Sequence, residues 1–564
     1  MNTFEPIANA LLRAYPELDP GDISFSPPPN LDLGDVAIPL FAAAKKLRRS
    51  PQQLASEAAA LPLGHLVREA VAAGPYLNLR LDRARIGREV AATILESGSG
   101  YGATGMGAGQ RVVLEHTSIN PNASPHVGRA RNAMIGDSIA RLFRFAGYEV
   151  EVHYYVNDMG RQIGLLVLLV DELENLTFDQ ILDAYVAANE RAKTDEAFAA
   201  AGYELLVRME EGDPEVQEKF RAVTDLCLKG QLAVLARIGA TYDIFDRESA
   251  YLKDGRLQPL RESLEARGAL FVDEDERLVV DLAKLGYTQE EGRYFVLMRA
   301  NGSSMYGYRD LAYTIDKSAR GAAINLMVLG EDHKLYAQQL AMILAAGGHA
   351  APEPIYYSYI LLKDGKMSTR QGKVVLLSDF LDQAAALALE RVREQCRELS
   401  PKEQECIAQQ VAVAAIRFSV LRVSPNKNVI FDMETNLSFQ GDTGPYIQYS
   451  CARIQSILRK YTGTLRPVPA EDFPAESTAE WALLHKLSEF PQIVTGAVQQ
   501  RTCALAANYA LDVAHLFSAF YHECPVLTAE SEALIQARLH VCQATLQTLR
   551  NALHLLGIEV PARM

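Results

Sequence analysis

The chain has 564 residues, 49% hydrophobic and 22% charged, an ordinary balance for a folded protein of about three to four domains. Lys+Arg number 56 against Asp+Glu 70, so the net charge of −14 excludes a general attraction to polyanions, and any nucleic-acid contact must come from local basic patches. No run of 18 apolar residues occurs, the N-terminus lacks a signal-peptide layout, and the seven cysteines are dispersed without a Cys-x-x-Cys pair. These features argue against a membrane span and a zinc knuckle and for a reducing, cytoplasmic setting.

Residues 1 to 107 read as a first unit. Phe4, Ile7, Leu11 and Leu12 mark a helix, and the prolines after Ser26 break it. Leu33 to Ala37 is expected to lead into a second helix, with Lys45, Lys46, Arg48 and Arg49 near its end. Gly74 to Leu81 alternates like a strand. Tyr76 and Asn78 would share one face of it, where two readings stay open. The ring and amide can meet a single-stranded nucleic acid, or the tyrosine pairs across the sheet. Glycines at 98, 100, 102, 105, 107 and 109 suggest a linker.

The second unit spans 108 to 380. Val112 to Leu114 reads as a buried strand, followed by a polar loop to Gly128. A helix then carries Ile135, Ile139, Leu142, Phe143 and Ala146 on one face, with Arg131, Arg141 and Arg144 off it, and stops at Gly147. Tyr148 to Val156 alternates as a second strand. Strand, loop, helix, strand is half of a doubly wound nucleotide-binding fold. Its helix start, with His126 and Gly128, favours a phosphate, although His-x-Gly alone more often marks a structural loop. Residues 165 to 290 read as an acidic helical insertion, with Glu210 to Glu215 a solvated face. The fold resumes near Tyr294. A helix begins around Tyr306, Arg309 and Asp310, and strands run over Ile324 to Leu329 and Ile355 to Leu362. The loop Lys363 to Lys373 reads as a triphosphate clamp or as an exposed basic hairpin.

The third unit, 381 to 564, is expected to be helical to its end. Thr443 to Pro445 is a helix start, and Ile447, Cys451, Ile454 and Leu458 form its apolar stripe.

In their shared order these pieces resemble arginyl-tRNA synthetases, a class I aminoacyl-tRNA synthetase family, over nearly the whole chain. Glu115 to Asn132, containing Pro125-His126-Val127-Gly128-Arg129, resembles the family's HIGH signature, and Lys366 to Arg370 its KMSKS loop. Tyr306, Arg309 and Asp310 resemble its amino-acid site. Gly441 to Tyr449 resembles the start of its anticodon-binding domain, Phe520 to Leu527 and Leu555 to Met564 its C-terminus, and Gly34-Asp35 with Gly74 to Leu81 its N-terminal domain.

The resemblance implies a Rossmann-type α/β catalytic domain, an N-terminal α+β tRNA-binding domain and a C-terminal all-α anticodon-binding bundle. It implies activation of L-arginine by ATP, as its Mg2+ complex, and transfer to tRNA(Arg), with no zinc or other resident metal. Glu115, Asn120, Tyr306, Asp310 and Asp332 would hold arginine, whose permanent guanidinium charge calls for carboxylates in bidentate reach. His126, Gly128, Arg129, Lys366, Met367 and Ser368 would hold ATP, with His126, Arg129 and Lys366 meeting transition-state charge. Tyr76, Asn78, Tyr446, Gln448, Tyr449 and Arg453 would contact tRNA. A cytoplasmic monomer without membrane contact is expected. Arg129 replaces the second His of HIGH and Thr369 the second Lys of KMSKS. Arg129, Arg370 and Lys373 are candidate replacements for the missing lysine, whose loss also fits a non-catalytic, tRNA-binding paralogue. Another nucleotidyl transferase would share the His-x-Gly loop but has no use for the flanking units.

Overall fold

Five short strands, β4 (Arg111–Glu115), β5 (Glu149–Val156), β6 (Ile244–Arg247), β10 (Ile324–Gly330) and β11 (Glu353–Tyr357), pair in parallel in the order β11-β10-β4-β5-β6. The computed structural model describes residues 4–564 except 27, 29, 31–32, 122, 170–175, 253–254, 364–374 and 474–476. Lys366, Met367, Ser368, Thr369, Arg370 and Lys373 therefore lie outside the described residues. Chain order reverses between β4 and β10, the topological switch point at which doubly wound sheets bind ligands. Val112, Val113 and Leu114 are buried, as an inner parallel strand must be.

The helix Val127–Phe145 packs on this sheet. Ile135, Ile139, Leu142 and Phe143 lie inward as the periodicity requires, each contributing about 1.5–3 kcal/mol of apolar burial. Arg131 does not follow the expected outward placement. It is fully buried, and its guanidinium donates to the carbonyls of Ser358 (2.6 Å), Tyr359 (3.2 Å), Ser424 (3.4 Å) and Lys427 (2.7 Å). Arg131 is enclosed where the helix meets residues 358–359 and 424–427, so it binds backbone rather than water.

The segment expected as a helical insertion contains helices Phe178–Thr194, Glu196–Glu211 and Pro214–Ala236. It also carries β6 of the main sheet, and β7 (Leu270–Val272) and β8 (Leu278–Asp281) of an antiparallel sheet completed by β9 (Tyr294–Met298). The four-residue β6 is too short for any periodicity to expose it.

The N-terminal sheet has the order β1-β3-β2, with β1 (Val36–Pro39), β2 (Val67–Ala73) and β3 (Tyr76–Leu81) antiparallel. Val36 and Ala37 are thus part of a strand that precedes the expected helix, which is Phe41–Leu47 with Lys45 and Lys46 in its last turn. Gly34 and Asp35 pin that strand. A Cβ on Gly34, at φ 137°, would stand 2.7 Å from Leu79 O, and Asp35 Oδ2 accepts from Leu81 N–H at 2.7 Å.

The C-terminal unit is helical apart from β13 (Val429–Phe431), which pairs in parallel with β12 (Ile360–Leu362). The glycine-rich segment expected as a linker is docked on this unit. Tyr101 OH donates to Leu487 O at 2.8 Å, its ring lies 6.0 Å from Phe490, and Asn551 Nδ2 donates to Gly98 O and Tyr101 O at 3.0 and 2.9 Å. Ile94, Tyr101, Phe143, Leu487 and Phe490 belong to one continuous apolar core. No helix among the described residues is long and apolar enough to cross a membrane.

Candidate active site

A cavity of about 1040 Å³ opens at the carboxyl ends of β4, β5 and β10. Glu115, Asn120, His126, Gly128, Arg129, Tyr306, Asp310 and Asp332, expected from sequence at eight scattered positions, all line it.

The floor is set by a strained turn. Thr117 and Ser118, directly after β4, have φ of 76° and 47°, which a β-branched threonine rarely adopts. Side chains hold it there. Thr117 N–H donates to Asn132 Oδ1 (2.7 Å), Tyr242 OH to Thr117 Oγ1 (2.8 Å), and Ile119 N–H to Tyr154 OH (3.1 Å). The turn presents Asn120 to the cavity.

His126 caps the helix Val127–Phe145, its Nδ1 accepting from Arg129 N–H at 3.3 Å. Burial, then the Arg129 charge, pushes its pKa down. A neutral ring that accepts at Nδ1 carries its proton on Nε2, so His126 is a donor. Together with the Gly128 N–H at the helix start it makes an anion-binding corner.

The described residues flanking 364–374 return to this corner. Leu377 N–H donates to Pro125 O (2.8 Å) and Val127 N–H to Val375 O (3.2 Å), while Lys363 N–H donates to Phe431 O (3.1 Å) and its ammonium pairs with Asp432.

Another part of the cavity wall is acidic and aromatic. Asp310 Oδ2 accepts from Tyr336 OH at 2.5 Å, and no cation among the described residues pairs with it. Burial raises its pKa to about 7; the Tyr336 bond and Lys317 work downward, Glu248 and Glu115 upward. Glu115 pairs with the fully buried Lys317. Glu248 Oε1 accepts from Arg309 Nε at 2.6 Å, and burial raises its pKa. Tyr306 is exposed and its ring lies 5.2 Å from that of Tyr336. Tyr155 and Tyr313 stack at 4.6 Å, and neither hydroxyl has a partner among the described residues, an omission worth about 1–3 kcal/mol each. Asp332 is open to solvent at the end of β10. Among the described residues no group of three or more His, Cys, Asp or Glu is arranged to hold a metal.

Sequence reasoning missed Glu248, Tyr155, Tyr336 and Lys317. Glu248 follows the four-residue β6, and Tyr155 sits one residue from the end of β5, so strand ends were the available signal. Lys317 lies seven residues after Asp310, two helical turns along the same face.

The expected tRNA contacts lie elsewhere and divide. Tyr76 is 39% exposed, edge-on to exposed Phe41 at 5.7 Å. Asn78 is buried at the centre of its sheet, between Ala37 and Val71, so the shared open face expected for the pair exists only at Tyr76. Tyr446 lies against His515 at 5.0 Å, and Arg453 lies over the rings of Tyr449 (5.0 Å) and Tyr521 (5.2 Å) at the surface. Gln448 is fully buried. Its Nε2 donates to Glu559 O at 2.7 Å and Gln410 O at 3.3 Å. With Gln455 (to Pro561 O, 3.1 Å) and Arg459 (to Ala562 O, 3.0 Å) it forms a face that binds the last residues of the chain, which removes Gln448 as a tRNA contact.

Three family models match the chain in succession: the arginyl tRNA synthetase N terminal domain over residues 4–81, the class I tRNA synthetase (R) catalytic domain over 90–433, and the DALR anticodon binding domain over 447–564. An arginine–tRNA ligase of Methanothermobacter thermautotrophicus is 36% identical over 555 residues, covering 97% of this chain and 96% of that one. One from Methanospirillum hungatei is 36% identical over 94% of each chain. Among solved structures, the arginyl-tRNA synthetase of Thermus thermophilus aligns over 99% of both chains with a TM-score of 0.75 and 29% identity. That of Plasmodium falciparum shares the fold at a TM-score of 0.74 and 18% identity.

Proposed function

The chain belongs to the arginyl-tRNA synthetase family and is an arginine–tRNA ligase, and on that premise we propose how its cavity performs the two steps. The supporting observation is that one cavity joins an uncompensated carboxylate, Asp310, to an anion-binding helix start at His126.

Arginine enters with its guanidinium toward Asp310 and Glu115, the Tyr306 ring beside it, and its α-amino end toward Asn120 and Asp332. ATP, delivered as its Mg2+ complex, lays its phosphates against His126 Nε2, Gly128 N–H and Arg129. The arginine carboxylate oxygen attacks the α-phosphorus and the bond to the β-phosphate oxygen breaks. Pyrophosphate leaves and arginyl-adenylate remains. A ribose hydroxyl of the terminal adenosine of tRNA(Arg) then attacks the acyl carbon, and AMP departs. No protein nucleophile is needed. Orientation and fixed positive potential lower the barrier. Lys366, Met367 and Ser368 are assigned to the phosphates on sequence resemblance alone.

Tyr76, Tyr446, Tyr449 and Arg453 are assigned to tRNA because they place rings and a cation at the surface of the two flanking units. In this reading residues 1–107, 108–380 and 381–564 act as elbow-binding, catalytic and anticodon-binding units of a cytoplasmic monomer. Aminoacylation of bulk tRNA with each labelled amino acid in turn tests the reading. Arginine alone is expected to be charged, and charging of a different amino acid, or of none, refutes it.

A further inference from the structure

Three carboxylates, Glu115, Asp310 and Glu248, face the part of the cavity assigned to the guanidinium. Two already carry a cation of the protein's own: Arg309 Nε donates to Glu248 at 2.6 Å, and the Lys317 ammonium pairs with Glu115. Asp310 has only the neutral donor Tyr336. Lys317 reaches Glu115 from behind. It is fully buried, is not part of the cavity wall, and rests over the Tyr313 ring at 4.2 Å.

A buried ammonium is costly to install, and a neutral donor would hold Glu115 in place as well. A full charge does more, because it cancels one. We propose that Lys317 is a specificity-determining positioning residue: by neutralising Glu115 from behind it leaves this end of the cavity with one net negative charge, matched to a side chain with one positive charge. The inference rests on the arginine reading above.

The surroundings leave this balance to Lys317. On its own helix, Arg309 is committed to Glu248. On β5, Tyr155 is held neutral by burial, and His153 is bonded to Asp246 (2.5 Å) and Glu151 (2.8 Å). On β6, Asp246 is also met by Arg320 at 3.3 Å. His116, after β4, is kept neutral by burial, and Tyr336 is a neutral donor. Lys317 is the cation that opposes the upward pull on Asp310.

The test is the pH at which the arginine KM begins to rise on the acid side, measured by aminoacylation in wild type, Lys317→Met, Glu115→Gln and the double variant. Lys317→Met leaves two net negative charges, so its acid limb moves up by about one pH unit, with KM about fivefold higher at pH 7, about tenfold higher at pH 6, and recovering by about pH 9. Discrimination against the neutral ureido analogue citrulline falls with it at pH 7, because a protonated Asp310 no longer penalises an uncharged ligand. Glu115→Gln leaves no net charge, so its limb moves down. The double variant restores one charge, and its limb returns to the wild-type position although its plateau KM stays high. A pH-independent rise of KM in Lys317→Met, or a double variant whose limb does not return, overturns the proposal. Should Lys317→Met not fold, Glu115→Gln and the double variant, which buries no unpaired charge, supply the same comparison. Wild-type protein that does not charge tRNA with arginine refutes the reading of the site itself, before any variant is compared.

Discussion

Tyr336 and Asp310 meet at 2.5 Å, the tyrosine hydroxyl donating to a carboxylate that burial has lifted to about pH 7. Asp310 must be ionised to pair with a guanidinium, so arginine binding releases its proton whenever the pH is below that value. The arginine KM is therefore expected to rise about tenfold per pH unit below about 7 and to be flat above it. The Tyr336 bond favours the ionised form, so Tyr336→Phe moves this limb to higher pH. Steady-state aminoacylation between pH 5.5 and 9 reads both, and an unmoved limb in Tyr336→Phe removes the tyrosine from this role.

Asp310→Asn keeps the size and loses the charge. Arginine charging is expected to fall by at least about two orders of magnitude, as loss of one partner of a buried charge pair implies. Stability should move the other way. A carboxylate whose folded pKa is raised binds more protons in the folded state, so the stability it contributes falls as pH rises from its unfolded value of 3.8 toward about 7. The asparagine variant is thus expected to melt at a higher temperature than wild type at pH 8, with the gap narrowing toward pH 5. Calorimetry at both pH values decides this, and a lower melting temperature at pH 8 contradicts it.

His126→Ala is expected to lower kcat about 100-fold or more while changing the arginine KM little, because its Nε2 donor meets charge that develops on phosphate. The helix also loses the cap to Arg129 N–H, at about 1 kcal/mol. His126→Asn, which can still cap, separates the two effects. Recovery of thermal stability without recovery of kcat is the expected pattern.

Much of this site was legible as motif. The run from Glu115 at the end of β4 to Gly128 in the next helix holds four of the expected cavity-lining residues, and Asp310 lies one turn into a helix, so spacing along the chain carried the information. Lys317, Tyr336 and Glu248 were not legible. Tyr336 and Glu248 reach the site from elements that only the sheet order β11-β10-β4-β5-β6 brings together, and Lys317, on the same helix as Asp310, meets Glu115 only because that helix lies over the end of β4. Arg131 and Gln448 misled for a related reason. Polar residues on helices suggest solvent, yet here they satisfy backbone carbonyls where one segment crosses another.

Gln448 and Tyr449 are neighbours in sequence and should differ in kind. Gln448→Ala removes the donor to Glu559 O and Gln410 O inside the core, and a loss of about 1–3 kcal/mol of stability is expected. Tyr449→Ala removes a half-buried ring beneath Arg453. It should raise the tRNA KM with little change in melting temperature. Parallel melting curves and tRNA titrations test the pair, and the opposite pattern would reverse the assignment.

Tyr76→Ala tests the N-terminal unit. The ring sits at the surface against Phe41, so its removal should leave the fold intact. Stacking of a base on such a ring is worth about 1–3 kcal/mol, which corresponds to a rise in tRNA KM of roughly 5- to 150-fold. The KM values for arginine and ATP should not change. A Tyr76→Ala protein that melts early while binding tRNA normally would place the ring in the fold's framework instead.

The docking of Tyr101 between Leu487 and Phe490 bears on how this protein comes apart. Residues of all three sequence units meet in one apolar cluster, so they are not beads joined by strings. Heating is expected to give one cooperative endotherm with calorimetric and van't Hoff enthalpies in agreement, rather than a staircase of separate meltings. Grafting the first hundred residues of a relative onto this chain would fail for the same reason. The graft would have to bring along the far helices against which Ile94 and Tyr101 were shaped, and a chimera that respects the motif boundaries would still cut through the middle of one shared interior.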